Sequence, residues 1–254
     1  MMHFKDSNGN KFTAPEGLRD ITLQQFIDFV CHIEPTKPDL LKQIDEAVQQ
    51  GSDPMLNTKE KNLLKAEIDR LIEEVNDPLF RAQELHPYYA RVVSYWTGLS
   101  EKYILGRDGG EGMNVGNLTD LYIRLIDLLN KMPEVEYSNV IDKDEELWYL
   151  PERFMQDSTV IEFAEAAQFQ ANLSKVLGGD WLSMAKVMCV LVRKKGEQYS
   201  DKLLKREKEF LLWDMLNVWR VAFFLLKHSE TYKAAMQSYI NAQQLSKLRQ
   251  ELKG

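Results

Sequence analysis

The sequence predicts a mainly α-helical protein: a multi-helix bundle with a small N-terminal β-hairpin and a short strand near residues 147–150. Three observations predict it. Apolar residues recur at helical spacing along most of the chain, as in Leu63, Leu64, Ile68, Leu71, Ile72 and Val75. Capping signals precede these segments, and Gly or Pro closes them. Only the first twenty residues and the stretch 134–156 break the pattern.

At the N-terminus, His3-Phe4-Lys5 and Lys11-Phe12-Thr13 flank a segment containing Asn8-Gly9. Asn-Gly supplies the positive φ angles of a tight turn, and Pro15 ends the second strand. Thr22 and Gln25 form a capping box ahead of Phe26, Ile27, Phe29 and Val30, and Pro35 and Pro38 close that helix. Further helices are predicted over 39–50, 58–75 and 88–96, with a turn capped by Ser100. Another over 118–131 has Leu121, Tyr122, Leu125, Ile126 and Leu129 on one face and ends at Pro133. Residues 134–156 read as an acidic connector with Asp142, Asp144, Glu145 and Glu146, in which Leu147-Trp148-Tyr149-Leu150 suits a strand.

Beyond the connector, Thr159 and Glu162 form a second capping box before a helix ending at Gly178-Gly179. Residues 181–192 are apolar on nearly every face, as in a helix surrounded by others. Ser200 is read as the cap of one long helix reaching about Leu226, and a closing helix is expected over 232–252. The domain reading is a hairpin at 1–20, helical regions at 21–133 and 157–254, and the connector at 134–156. The two helical regions could pack as one domain.

A chain of 254 residues, 44% hydrophobic and 28% charged, can bury a sizeable core. Its net charge of −7 disfavours broad nucleic-acid binding, which relies on Lys and Arg to neutralise phosphate. Cys31 and Cys189, each in an apolar segment and without CxxC spacing, suit a reducing compartment and a place in the core. The N-terminal stretch lacks the apolar region of a secretory signal. The apolar run 210–226 would span about 25 Å as a helix, short of the roughly 30 Å hydrocarbon core. It also contains Asp214, Asn217 and Arg220, which are costly in lipid, so a buried helix is expected rather than a membrane span.

Sites for chemistry fail on spacing. The glycine-rich loop 106–116 lacks the Lys-Ser or Lys-Thr of a phosphate-binding loop and the spacing of a dinucleotide fingerprint, so it reads as a flexible surface loop. A small ligand- or nucleotide-binding protein using this loop is the alternative from another class. His3, His32, His86 and His228 are scattered, and no metal or other cofactor is expected. No GxSxG or HExxH motif is present, and an enzyme is not expected.

Binding candidates remain. Residues 193–208 hold the basic concentration, with Lys194, Lys195, Lys205 and Arg206 weighed as a docking surface against a solvated turn. Asp214, Asn217 and Arg220 recur every third residue as a slanting polar seam, either the outer edge of a core helix or a contact with another subunit. Trp213 and Trp219 flank the seam and suit a core or an interface anchor.

Four stretches carry a family resemblance. They are the hairpin followed by Asp20-Ile21-Thr22-Leu23-Gln24-Gln25-Phe26, the segment Val92-Val93-Ser94-Tyr95-Trp96-Thr97-Gly98-Leu99-Ser100, the apolar helix ending in Gly196 and Tyr199, and the aromatic run with Phe223-Phe224. In outline these resemble tailed-bacteriophage morphogenesis proteins, especially the tail assembly chaperone type. The resemblance implies non-enzymatic binding to an aggregation-prone phage protein, such as a tape-measure protein, in the host cytoplasm. Its partners would be other phage morphogenesis or virion proteins, with no membrane and with a homo-oligomer compatible. A structural virion component, such as a neck, ring or packaged protein, is the alternative. The loop 106–116 and the acidic connector have no counterpart in that family.

Overall fold

The computed structural model describes residues 1–5, 9, 11–51, 53, 55–109, 112–130, 133–136, 138–151 and 181–228. Within them the chain is mainly helical with two small antiparallel sheets. The elements are β1 (Met2–Lys5), β2 (Lys11–Ala14), α1 (Leu23–Asp28), α2 (Asp39–Gly51), α3 (Thr58–Val75), the single turn α4 (Pro78–Phe80) and α5 (His86–Thr97). They continue as α6 (Glu101–Ile104), α7 (Val115–Asn130), β3 (Val140–Lys143), β4 (Glu146–Tyr149), α8 (Leu182–Leu191), β5 (Arg193–Lys194), α9 (Glu207–Leu211) and α10 (Met215–His228). The capping box at Thr159 and Glu162 and the closing helix over 232–252 lie outside the described residues. No helix of the described residues is long and apolar enough to cross a membrane.

The chain divides into two compact units. One comprises Met1–Gly17 and Asp28–Lys131, the other Leu18–Ile27 and Met132–Gly254. In the first, β1 pairs antiparallel with β2, Lys5 opposite Lys11, around Gly9 at φ 79°. The Phe4 and Phe12 rings stack across the pair at 5.4 Å. Helices α2 and α3 form a hairpin. Asn57 starts α3 with a capping box: its side chain accepts from the Lys59 and Glu60 amides, and Glu60 accepts from the Asn57 amide. Helix α5 is the buried centre of this unit, with Tyr88, Ala90, Val92, Val93 and Trp96 inside and Gly98 ending it at φ 73°. The Tyr88 hydroxyl donates to Glu34 at 3.2 Å, while burial pushes its pKa up. Tyr122 of α7 stacks on Tyr89 at 3.7 Å.

The two ends of the glycine-rich loop come close together. The Met113 amide donates to the Ile104 carbonyl, and a Cβ placed on Gly112 would stand 2.6 Å from the Gly106 nitrogen. Gly106 and Gly112 both take positive φ, so here glycine serves close backbone approach. Cys31 departs from expectation. It is exposed, whereas Cys189 is buried. Cys31 lies in the π-helical turn Phe29–Ile33, where Phe29 takes the inward position and rests on Trp96 at 5.4 Å.

In the second unit, α8 is enclosed as its all-round apolar sequence requires, with Met184, Val187, Met188 and Val190 at 0–1% exposure and Lys186 outside. Two predicted features are corrected. First, 140–149 is more than a connector with a lone strand: β3 and β4 form a hairpin, and β5 adds to it as a third strand at Trp148↔Lys194 and Tyr149↔Arg193. Alternation along β4 turns Trp148 inward to 1% exposure and leaves Leu147 half exposed. Second, the helix expected from Ser200 to Leu226 is broken. Ser200 makes no side-chain cap, a 3-10 segment (Asp201–Arg206) precedes α9, and the chain leaves helical geometry at 212–214. There the Leu23 amide donates to the Trp213 carbonyl and the Met215 amide to the Ile21 carbonyl, each at 2.8 Å. Backbone groups held in that bridge cannot also extend a helical ladder.

The β3–β4 turn suggests a stabilising substitution. Asp144 and Glu145 both have positive φ, 54° and 67°, in a two-residue turn that favours Asn-Gly. Replacing Glu145 by Gly is expected to stabilise the protein by about 1 kcal/mol by relieving the left-handed conformation. A urea midpoint unchanged or lowered in Glu145→Gly would count against that reading of the turn.

Candidate partner-binding groove

The second unit gathers several of the sequence candidates around Trp148. Its indole meets the edges of Phe210 at 5.8 Å and Trp213 at 5.2 Å. Lys194 Nζ lies 4.9 Å and the Arg206 guanidinium 5.6 Å from its ring centre. Cations over an indole face gain from its quadrupole, and more so when half-buried. Both cations are also paired: Lys194 with Glu146 at 2.8 Å, and Arg206 with both oxygens of Glu197 at 2.5 and 2.7 Å. The predicted basic surface is thus partly turned inward. Lys195 and Lys205 are exposed.

Glu197 also accepts from the Lys194 amide at 3.1 Å. Burial alone would raise its pKa, but the Arg206 guanidinium and that amide outweigh it and hold the carboxyl below its ordinary 4.5. A depressed folded pKa contributes stability above the unfolded value, and the contribution is lost as pH falls through the folded value. Glu197→Gln is therefore expected to cost about 1–2 kcal/mol at neutral pH and to flatten the loss of stability below pH ~4.5. Unfolding curves of the two proteins at neutral and acid pH check this, and parallel acid limbs would contradict it.

The polar seam is satisfied inside the chain. Asp214 caps α10, accepting from the Asn217 amide at 3.1 Å and its side-chain amide at 2.8 Å. Asn217, 7% exposed, in turn accepts from Arg220 at 3.0 Å. Trp219 lies apart from the Trp148 cluster, against Trp181 at 5.0 Å and Phe223 at 5.8 Å. The nine candidates thus separate into a Trp148 group (Trp213, Lys194, Arg206), the hydrogen-bonded seam, Trp219 on its own, and two exposed lysines.

Beside the Trp148 group opens a groove of about 380 Å³ lined by Lys143, Asp144, Glu146, Trp148, Glu209, Leu212 and Trp213. Leu212, at the break between α9 and α10, is 68% exposed at this groove. Trp148, Glu146, Glu209 and Leu212 were missed as site residues. The available signal was an indole within an acidic, strand-forming stretch, but nothing local shows that residues 209–213 face it. No protein-family model matches the chain, and no curated protein or solved structure matches it at a significant level.

Proposed function

We propose that this protein acts without catalysis, by binding another protein during the assembly of a tailed bacteriophage, in the manner of a tail assembly chaperone. Two things support the reading. One is the resemblance of the hairpin, the 92–100 segment and the late aromatic helices to that group. The other, which carries it, is the groove at Trp148. There an exposed leucine stands beside two buried tryptophans and several carboxylates, the mixture of apolar anchor and polar rim found where proteins bind proteins. The seam at Asp214, Asn217 and Arg220 shapes the start of α10, and so holds Trp213 in the groove wall.

Co-expression with the tape-measure protein encoded in the same genome tests the proposal. The chain is expected to raise the soluble fraction of that protein and to co-purify with it. A tape-measure protein equally insoluble with and without the chain overturns the proposal.

A further inference from the structure

The groove has a chemistry that selects its occupant. The register pairs Lys143 with Glu146 and Ile141 with Trp148, placing these four on one face of the β3–β4 hairpin. Asp144, Glu146 and Glu209 then line the groove against one lining cation, Lys143. Lys143 is 18% exposed and paired with Asp144, which is 81% exposed. Glu209 lies 3.9 Å from the Arg206 Nε and is 44% exposed. Glu146 pairs with Lys194 at 2.8 Å, so each of the three carboxylates has a cation partner and is more exposed than that partner. Trp148 carries a second signal. Its side chain is buried, yet among the described residues the indole Nε1–H has no acceptor. An unpaired buried donor costs about 1–3 kcal/mol, and an incoming oxygen would recover that cost.

We infer that the groove at Trp148 is a docking site for a partner segment that carries an Arg or Lys side chain beside an apolar one. The cationic group meets Asp144, Glu146 and Glu209, the apolar side chain covers Leu212 and the edge of Trp213, and a carbonyl oxygen of the segment accepts from Trp148 Nε1. Phosphate-bearing ligands and anionic membrane surfaces fit poorly, because three carboxylates repel them. A metal ion fits poorly as well, because among the described residues no three His, Cys, Asp or Glu side chains converge to hold one. The inference rests on the protein-binding reading above and adds to it the chemistry of the partner.

Fluorescein-labelled peptides titrated into the full chain provide the test, read by anisotropy. The probes are an alternating Leu-Arg peptide and three controls: Leu-Glu, Leu-Ser and Gly-Arg. The Leu-Arg peptide is expected to bind about tenfold tighter than any control, with affinity falling as salt rises. Glu209→Gln combined with Leu212→Ser, both at exposed positions, is expected to remove most of that preference while leaving the circular dichroism spectrum unchanged. Trp148→Phe, which keeps an aromatic ring but lacks the N–H, is expected to weaken Leu-Arg binding several-fold. Equal binding of Leu-Glu and Leu-Arg peptides overturns the inference, as does unchanged Leu-Arg binding by the Glu209→Gln/Leu212→Ser protein. The same double variant also enters the co-expression assay. If it solubilises the tape-measure protein as well as the parent chain does, the groove assignment falls and the assembly reading stands. If the parent chain itself fails to do so, the assembly reading falls, and the peptide titration alone decides the groove.

Discussion

Replacing Trp148 by Ala is expected to lower the stability of the protein by about 3–5 kcal/mol, the range for deleting a large buried aromatic. The side chain is 1% exposed and joins elements that are distant in sequence. It sits on β4, meets Phe210 of α9 and Trp213 beyond it, and lies under Lys194 of β5 and Arg206. Its removal leaves a cavity and takes the aromatic face from two half-buried cations. Trp148→Phe retains much of the volume and is expected to lose about half as much or less. Urea unfolding of the three proteins measures both values. A Trp148→Ala loss below about 1 kcal/mol would mean that the indole is not the centre of this unit.

Gly112→Ala is the second large effect, expected to cost about 2–5 kcal/mol. Two contributions add. A non-glycine residue at φ 67° pays about 1–2 kcal/mol for the left-handed conformation. The added Cβ would also stand 2.6 Å from the Gly106 nitrogen, 2.8 Å from its Cα and 3.1 Å from the Ile104 carbonyl oxygen. All three are backbone atoms that no rotamer change can move aside, so overpacking adds about 1–3 kcal/mol. Gly109 is the internal control. Its φ is 80°, but a Cβ there meets nothing within 4 Å, so Gly109→Ala should cost only about 1 kcal/mol. Thermal or urea unfolding separates the two, and equal losses would contradict the close approach of Gly106 and Gly112.

The contrast between these positions shows what was legible in the sequence. Local signals translated directly. The two flanking segments paired as the β1–β2 hairpin, the capping box at Thr22 and Gln25 formed as read, and the 58–75 period became α3 at the same bounds. Long-range pairings did not translate. The bridge of residues 21–23 to 213–215 breaks an apolar run whose own periodicity reads as one continuous helix. Pairing of β5 with β4 turns the start of a stretch that reads as a solvated basic turn into a strand whose Lys194 lies over an indole. Glycine count at 106–116 did not reveal which glycines meet, and the approach of Gly112 to Gly106 is visible only in the fold. For the groove, charge and aromatic content were visible in two separate segments. Only the fold brings Glu146 and Trp148 beside Glu209, Leu212 and Trp213.

We propose that this chain serves phage assembly by holding a partner rather than by entering the particle. Quantitative mass spectrometry of purified virions, set beside affinity-purified complexes from infected cells, tests it most directly. The chain is expected to be bound to a tail protein in the infected cell and absent from mature particles. Its presence in virions at fixed stoichiometry would contradict the chaperone role in favour of a structural one. The absence of any phage protein from the cellular complexes would contradict the assembly role itself.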